Sequence, residues 1–93
     1  MKFDISNNNV CAAGGKALAA ALNGNQVMTE LNLAGNSLGL VEQYGDADMS
    51  GVIAVSDAIT MGALTSLNLS WNQLRAEGAK HVAEAVKANV SAL

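Results

Sequence analysis

The sequence predicts an α/β fold: a right-handed solenoid with a short parallel sheet on its concave face and α-helices on its convex face. Three segments at 3–10, 31–38 and 67–74 repeat the pattern apolar-x-apolar-x-x-Asn-x-apolar, reading FDISNNNV, LNLAGNSL and LNLSWNQL. A glycine-led, alanine-rich stretch of helical character follows each of them. A strand, a helix and a further strand form a right-handed crossover unit, and units this short must stack to bury their apolar faces.

The strand prediction rests on apolar residues that alternate with polar ones. This period-2 pattern is typical of a strand with one buried face. Four leucines are therefore expected between the sheet and the helices: Leu31, Leu33, Leu67 and Leu69.

An asparagine stands at the end of each predicted strand. The three positions are Asn8, Asn36 and Asn72. Because an amide side chain can donate and accept hydrogen bonds, we expect each to satisfy backbone groups that the strand ladder no longer serves.

The helix prediction covers 14–22, 51–59 and 78–86. Apolar residues spaced four apart, such as Leu18 and Leu22, lie on one face of a helix. Alanine has the highest helix propensity, and its small side chain lets a helix lie close to a neighbouring element.

The spacing of the repeats gives the domain organisation. Ile5 and Leu33 are 28 positions apart, whereas Leu33 and Leu69 are 36 apart, so the middle unit carries an insertion. We predict one domain over 1–93, with repeats at about 1–27, 28–63 and 64–93. The insertion, at about 40–49, is expected to form an irregular loop before a helix that starts near Gly51.

The segments 28–38 and 64–74 resemble a known family. They read MTELNLAGNSL and LTSLNLSWNQL and match the leucine-rich repeat consensus L-x-x-L-x-L-x-x-N-x-L. The 28-residue spacing and the G-x-K-x-[LV]-A-x-A-[LV] helix look like the ribonuclease-inhibitor-like subfamily. The resemblance implies the solenoid and no chemistry. By analogy with the family alone, two further functions stay open for this chain, an enzyme inhibitor and a GTPase-activating regulator.

Composition excludes several classes of protein. Hydrophobic residues make up 51% and charged residues 14%, which is not the composition of a disordered chain. Five Lys and Arg against eight Asp and Glu give a net charge of −3, without the basic footprint of a nucleic-acid-binding protein. The apolar runs are too short for a membrane-spanning helix, so direct membrane insertion is not expected.

Cysteine usage and the first residues predict the compartment. Cys11 is the only cysteine, and the start of the chain lacks the apolar run of a signal peptide. We therefore expect an intracellular, reducing compartment, with the organelle left open. No catalytic triad, carboxylate pair or cofactor fingerprint stands out, so we expect no enzyme activity and no cofactor.

The insertion carries the one candidate metal site. Residues 46–57 place oxygen ligands at positions 1, 3, 5 and 12 of an EF-hand calcium loop and glycine at position 6. The candidate ligands are Asp46, Asp48, Ser50 and Asp57. The other interpretation is that Gly51 starts the helix of the repeat, as Gly14 and Gly78 do. A true site would make the chain a calcium-responsive regulatory adaptor.

The leading functional hypothesis is a non-enzymatic protein-interaction or scaffold module. Trp71 follows a strand at a position held by Asn7 and Gly35 elsewhere, so it is either an exposed anchor or a ring lying over its neighbours' backbone. The other candidate partner-binding residues are small and polar: Thr29, Glu30, Asn32, Thr65, Ser66 and Asn68.

Both ends of the repeat array are expected to need covering. The first unit lacks the Leu-x-x lead of the others, and the chain stops where a fourth strand is due. Solenoids need terminal caps, so we expect a fragment of a longer protein or a small subunit docked in a larger assembly.

Overall fold

A computed structural model describes residues 1–23, 25–59 and 64–88, the side chain of residue 88 excepted. Strands and helices alternate along the chain. They are β1 (Lys2–Asp4), α1 (Cys11–Leu22), β2 (Glu30–Asn32), α2 (Ser50–Ile59), β3 (Ser66–Asn68) and α3 (Arg75–Ala88). The expected α/β alternation is confirmed, with one strand and one helix in the described part of each repeat.

The three strands form one parallel sheet in the order β1-β2-β3. Phe3, Leu31 and Leu67 are level with one another across it. Since consecutive strands are neighbours, α1 connects β1 to β2 and α2 connects β2 to β3. The parallel sheet expected from the repeat is confirmed.

The core lies between the sheet and the helices and is centred on the middle repeat. Leu33 and Ile59 are fully buried, and Leu31 is nearly so. Leu67 and Leu69, which we expected to be buried, are only half-buried against this core. The physical reason is position: β3 is an outer strand, and no described element covers its far side.

Asn36 joins the first two repeats through hydrogen bonds. Its Oδ1 accepts the backbone N–H groups of Asn8 at 2.9 Å and Val10 at 3.3 Å. Its Nδ2 donates to the carbonyls of Ile5 and Leu33, each at 3.0 Å. This buried amide therefore serves backbone groups of its own repeat and of the preceding one.

Asn72 repeats the arrangement between the second and third repeats. Its Oδ1 accepts the N–H groups of Asn36 at 2.9 Å and Leu38 at 3.2 Å. Its Nδ2 donates to the carbonyls of Leu33 at 2.8 Å and Leu69 at 2.9 Å.

Glycine allows α1 and α2 to lie close together. A Cβ placed on Gly51 would lie 2.6 Å from the Ala12 carbonyl oxygen and 2.8 Å from its Cα. A Cβ on Gly15 would lie 3.2 Å from the Gly51 Cα. Any larger residue at Gly51 would force the helices apart, because the obstacle is backbone.

The insertion forms the irregular loop expected from its composition. Leu40 and Ala47 make an isolated antiparallel bridge, and the Val41 N–H donates to the Asp46 carbonyl at 2.9 Å. Helix α2 then begins at Ser50. Among the helices that the structure describes, none combines the length and the apolar character needed to cross a membrane.

Candidate interaction surface on the open face of the sheet

A groove of about 360 Å³ runs across the three strands on the face of the sheet that the helices leave open. Its lining is Lys2, Phe3, Asp4, Glu30, Leu31, Asn32, Ser66 and Asn68. We call this surface the sheet groove. Because strand side chains alternate between faces, the polar members fall into two rows across the strands.

The first row contains Lys2, Glu30 and Ser66, which are level with one another. The Lys2 Nζ lies 3.4 Å from the Glu30 Oε2, with 83% and 44% of the two side chains exposed. An ion pair this exposed contributes little to stability, so both charges are available to a partner.

The second row contains Asp4, Asn32 and Asn68, also level with one another. In each, the side-chain Oδ1 accepts the backbone N–H two residues further on, at 2.9 Å, 3.0 Å and 3.0 Å. This local bond fixes the side chain where its strand ends. The second oxygen or the amide nitrogen is left to face the groove.

Two of the three remaining groups of this row orient each other. The Asn32 Nδ2 donates to the Asp4 Oδ2 at 3.4 Å. The Asn68 Nδ2 has no acceptor within the described part of the chain. The second row therefore offers a carboxylate over β1 and an amide donor over β3.

Hydrogen bonds also favour the ionised form of the Asp4 carboxyl group. The Ser6 hydroxyl, then the Ser6 N–H and, to a smaller extent, Asn32 lower the pKa of Asp4 below its ordinary value, against a small opposing effect of desolvation. The groove therefore carries an anion at its β1 end at neutral pH.

The structure divides the residues that we predicted to bind a partner. Those lining the sheet groove are Glu30, Asn32, Ser66 and Asn68. Thr29 and Thr65 lie outside it, in the lead to each strand. The Thr29 hydroxyl donates to the Met1 carbonyl and the Thr65 hydroxyl to the Thr29 carbonyl, each at 3.3 Å.

Sequence reasoning missed Lys2 and Asp4, which belong to the groove. The signal was present in the alignment of the repeats, because Asp4 occupies the position of Asn32 and Asn68.

Trp71 lies in the turn after β3, with 84% of its surface exposed. The interpretation in which its ring covers neighbouring backbone is therefore wrong. Its φ of 60° is left-handed, a region that costs a bulky residue about 1–2 kcal/mol. Repeats one and two have Asn7 and Gly35 there, and these two residues tolerate that conformation better.

The insertion does not have the backbone of an EF-hand. Residues 50–59 are helical, whereas an EF-hand loop over 46–57 needs a non-helical backbone to about its ninth position. The Asp48 Oδ1 accepts the Ser50 N–H at 2.9 Å at the start of α2. Interactions with the side chain and then the backbone of Ser50 lower the pKa of Asp48, and Lys16 adds a smaller effect in the same direction.

The acidic residues of this segment are not gathered into a cage. Asp46 is exposed in the loop, while Asp57 lies two turns into α2. Across residues 1–23, 25–59 and 64–88, no three His, Cys, Asp or Glu side chains are placed to hold one ion. Calcium binding by Asp46, Asp48, Ser50 and Asp57 stays a prediction.

Comparison with known proteins agrees with the repeat geometry. No curated protein and no solved structure matches the chain significantly. A family model described as leucine-rich repeat matches residues 24–40 and 64–83. These segments contain β2 and β3 together with Asn36 and Asn72, so the chain carries leucine-rich repeats at these two places.

Proposed function

We propose that this chain is a non-enzymatic protein-interaction module that binds a protein partner in the sheet groove. The observation that carries the proposal is the pair of polar rows in the sheet groove, of which the second is held in place by local hydrogen bonds. The leucine-rich repeats support it, because such repeats generally mediate protein–protein interaction. The proposal includes a right-handed solenoid of the ribonuclease-inhibitor-like kind, acting inside a larger assembly.

The chemistry of the groove suggests what the partner presents. The carboxylates of Asp4 and Glu30 suit a cationic side chain over β1 and β2. The amide donor of Asn68 suits a carbonyl or carboxylate oxygen over β3. The groove is shallow and most of its lining residues are polar, which fits a protein surface better than an enclosed small molecule.

Trp71 is the proposed anchor beside the groove. An exposed tryptophan in a left-handed conformation lowers stability and gains little burial within the chain. Tryptophan is among the residues that contribute most to protein interfaces. A contact with the partner would explain why the third repeat has tryptophan at the position where the first two repeats have Asn7 and Gly35.

The test compares purification of the native partner on tagged variants. Ser66→Arg places a long cation at the β3 end of the sheet groove, at an exposed position, so we expect it to fold and to lose the partner. Glu84→Arg places the same side chain at an exposed position of α3, with an even larger change in charge (+2 against +1), and should retain it. If Ser66→Arg retains the same partner at the wild-type yield, the groove is not the binding site.

A second variant tests Trp71 separately. Trp71→Asn introduces the residue of the first repeat, which accepts a positive φ more readily. We expect unfolding stability to be unchanged or raised by up to about 1 kcal/mol, and recovery of the partner to fall. Unchanged recovery would show that Trp71 is not an anchor.

A further inference from the structure

One face of α3 is uncovered although the matching face of α1 is buried. Positions 12, 15, 19 and 22 of α1 are buried on the side towards α2. In the alignment of the repeats they correspond to Ala76, Ala79, Ala83 and Val86, all of which are exposed. The last helix thus presents small apolar residues at positions that another helix covers earlier in the chain.

The opposite face of α1 is uncovered in the complementary way. Ala58 of α2 and Ala85 of α3 are both 5% exposed, and Ala21, the same position in α1, is exposed. Gly51 lets α1 approach α2 closely at Ala12, because a Cβ at position 51 would collide with the Ala12 backbone. Gly14 occupies that position in α1, with no described helix before it.

The strand edges are complementary too. The Ile5 N–H donates to the Asn32 carbonyl at 3.1 Å, and the Leu33 N–H donates to the Asn68 carbonyl at 2.9 Å. The next donor in the series is the Leu69 N–H, for which residues 1–23, 25–59 and 64–88 provide no acceptor. At the other end, the Asp4 carbonyl holds the position of those two acceptors.

Asn8 is already arranged to receive a preceding repeat. Its Nδ2 donates to the carbonyls of Ile5 at 2.9 Å and Ser6 at 3.1 Å, as Asn36 and Asn72 do within their own repeats. Its Oδ1 receives no N–H from the described chain. The two N–H groups that would fill it by analogy with Asn36 belong to Asn72 and Leu74, at the opposite end of the molecule.

We infer that copies of this chain associate head to tail, the β1 and α1 face of one copy covering the β3 and α3 face of the next. The occupant is a second copy because each internal joint shows what covers such a face, and this chain carries the counterpart at its other end. The match extends over helix packing, strand pairing and the asparagine. Since two different faces meet, the association does not close at a dimer.

The test uses the whole chain in sedimentation velocity over a concentration series. We expect the wild-type sedimentation coefficient to rise with concentration beyond that of a dimer. Ala79→Glu should block the α3 face and Ala21→Glu the α1 face. Each places an unpaired carboxylate in the joint and should weaken association by at least about tenfold. Both positions are exposed in one copy, and circular dichroism checks that both variants fold.

Mixing the two variants is the decisive arm. Each retains one working face, so the mixture should form a one-to-one complex and grow no further. Ala20→Glu is the matched control, because Asp57 and Glu84 are acidic at that position of the other repeats, and it should behave as wild type. A monomeric wild type, variants that associate like wild type, or a single variant that forms dimers alone would each overturn the inference.

Discussion

A single asparagine does more for this fold than its size suggests. Asn36 is fully buried and its side chain bonds five backbone groups in two repeats, whereas the Asn8 side chain is exposed and bonds only within its own repeat. A buried polar group left without a partner costs about 1–3 kcal/mol, while an exposed one is rescued by water. The asparagine at this position therefore contributes more to stability in the second repeat than in the first.

The first prediction compares these two asparagines. We expect Asn36→Ala to lower the free energy of unfolding by about 2–4 kcal/mol, because it strands several partly buried backbone groups. Asn8→Ala should lower it by no more than about 1 kcal/mol. Urea denaturation of both variants measures the difference. Equal losses would mean that burial does not decide the role of this position.

Individual groove residues were predictable to the extent that the repeat marks them. Glu30, Asn32, Ser66 and Asn68 stand at polar strand positions, and alternation alone places them on the open face. What alternation cannot show is how each side chain is engaged. The bonds from the hydroxyls of Thr29 and Thr65 depend on how the strand leads run beside one another, which no local pattern records.

At the scale of elements, the middle strand is the best protected. β2 has a strand on both sides, whereas β1 and β3 each have one described neighbour. The periodicity of LNL is identical in β2 and β3, so it predicted equal burial for leucines at 33 and 69. The difference arises from stacking order and not from local sequence.

The second prediction follows from that difference. Leu33→Ala should cost about 2–5 kcal/mol, the range for a fully buried leucine. Leu69→Ala should cost about 1–2 kcal/mol, because half-burial removes less apolar surface from water. Denaturation of the two variants under one set of conditions measures the contrast, and equal costs would place Leu69 in a covered environment.

The third prediction concerns the insertion. Because α2 starts at Ser50, the oxygen ligands proposed for 46–57 do not converge, and we expect calorimetry to detect no micromolar binding of Ca²⁺. Asp48→Asn, which removes a charge and keeps an oxygen for the Ser50 N–H, serves as the comparison. Stoichiometric heat from the wild type that Asp48→Asn abolishes would establish the calcium-responsive adaptor instead.

At the scale of the whole molecule, each repeat contacts only its neighbours within the described part of the chain. α1 packs on α2 and α2 on α3, and α1 and α3 make no contact. Stability in such an array is a sum of repeat and joint contributions, so the middle repeat holds the chain together. The architecture could be predicted because it follows from repetition. What covers the exposed faces of α1 and α3 could not be predicted from the sequence, because it follows from how α1 packs on α2 and α2 on α3.

The close approach of α1 and α2 at Gly51 also has a consequence for curvature. Neighbouring strands lie about 4.8 Å apart and packed helices about 8–10 Å apart, and this mismatch bends a solenoid towards its sheet. A glycine contact against the Ala12 backbone belongs at the short end of that helix range. We therefore expect a shallow bend between the first two repeats. A flatter sheet presents Asp4 and Asn32 side by side to a broad partner surface. A more strongly curved sheet would accommodate only a narrow partner surface.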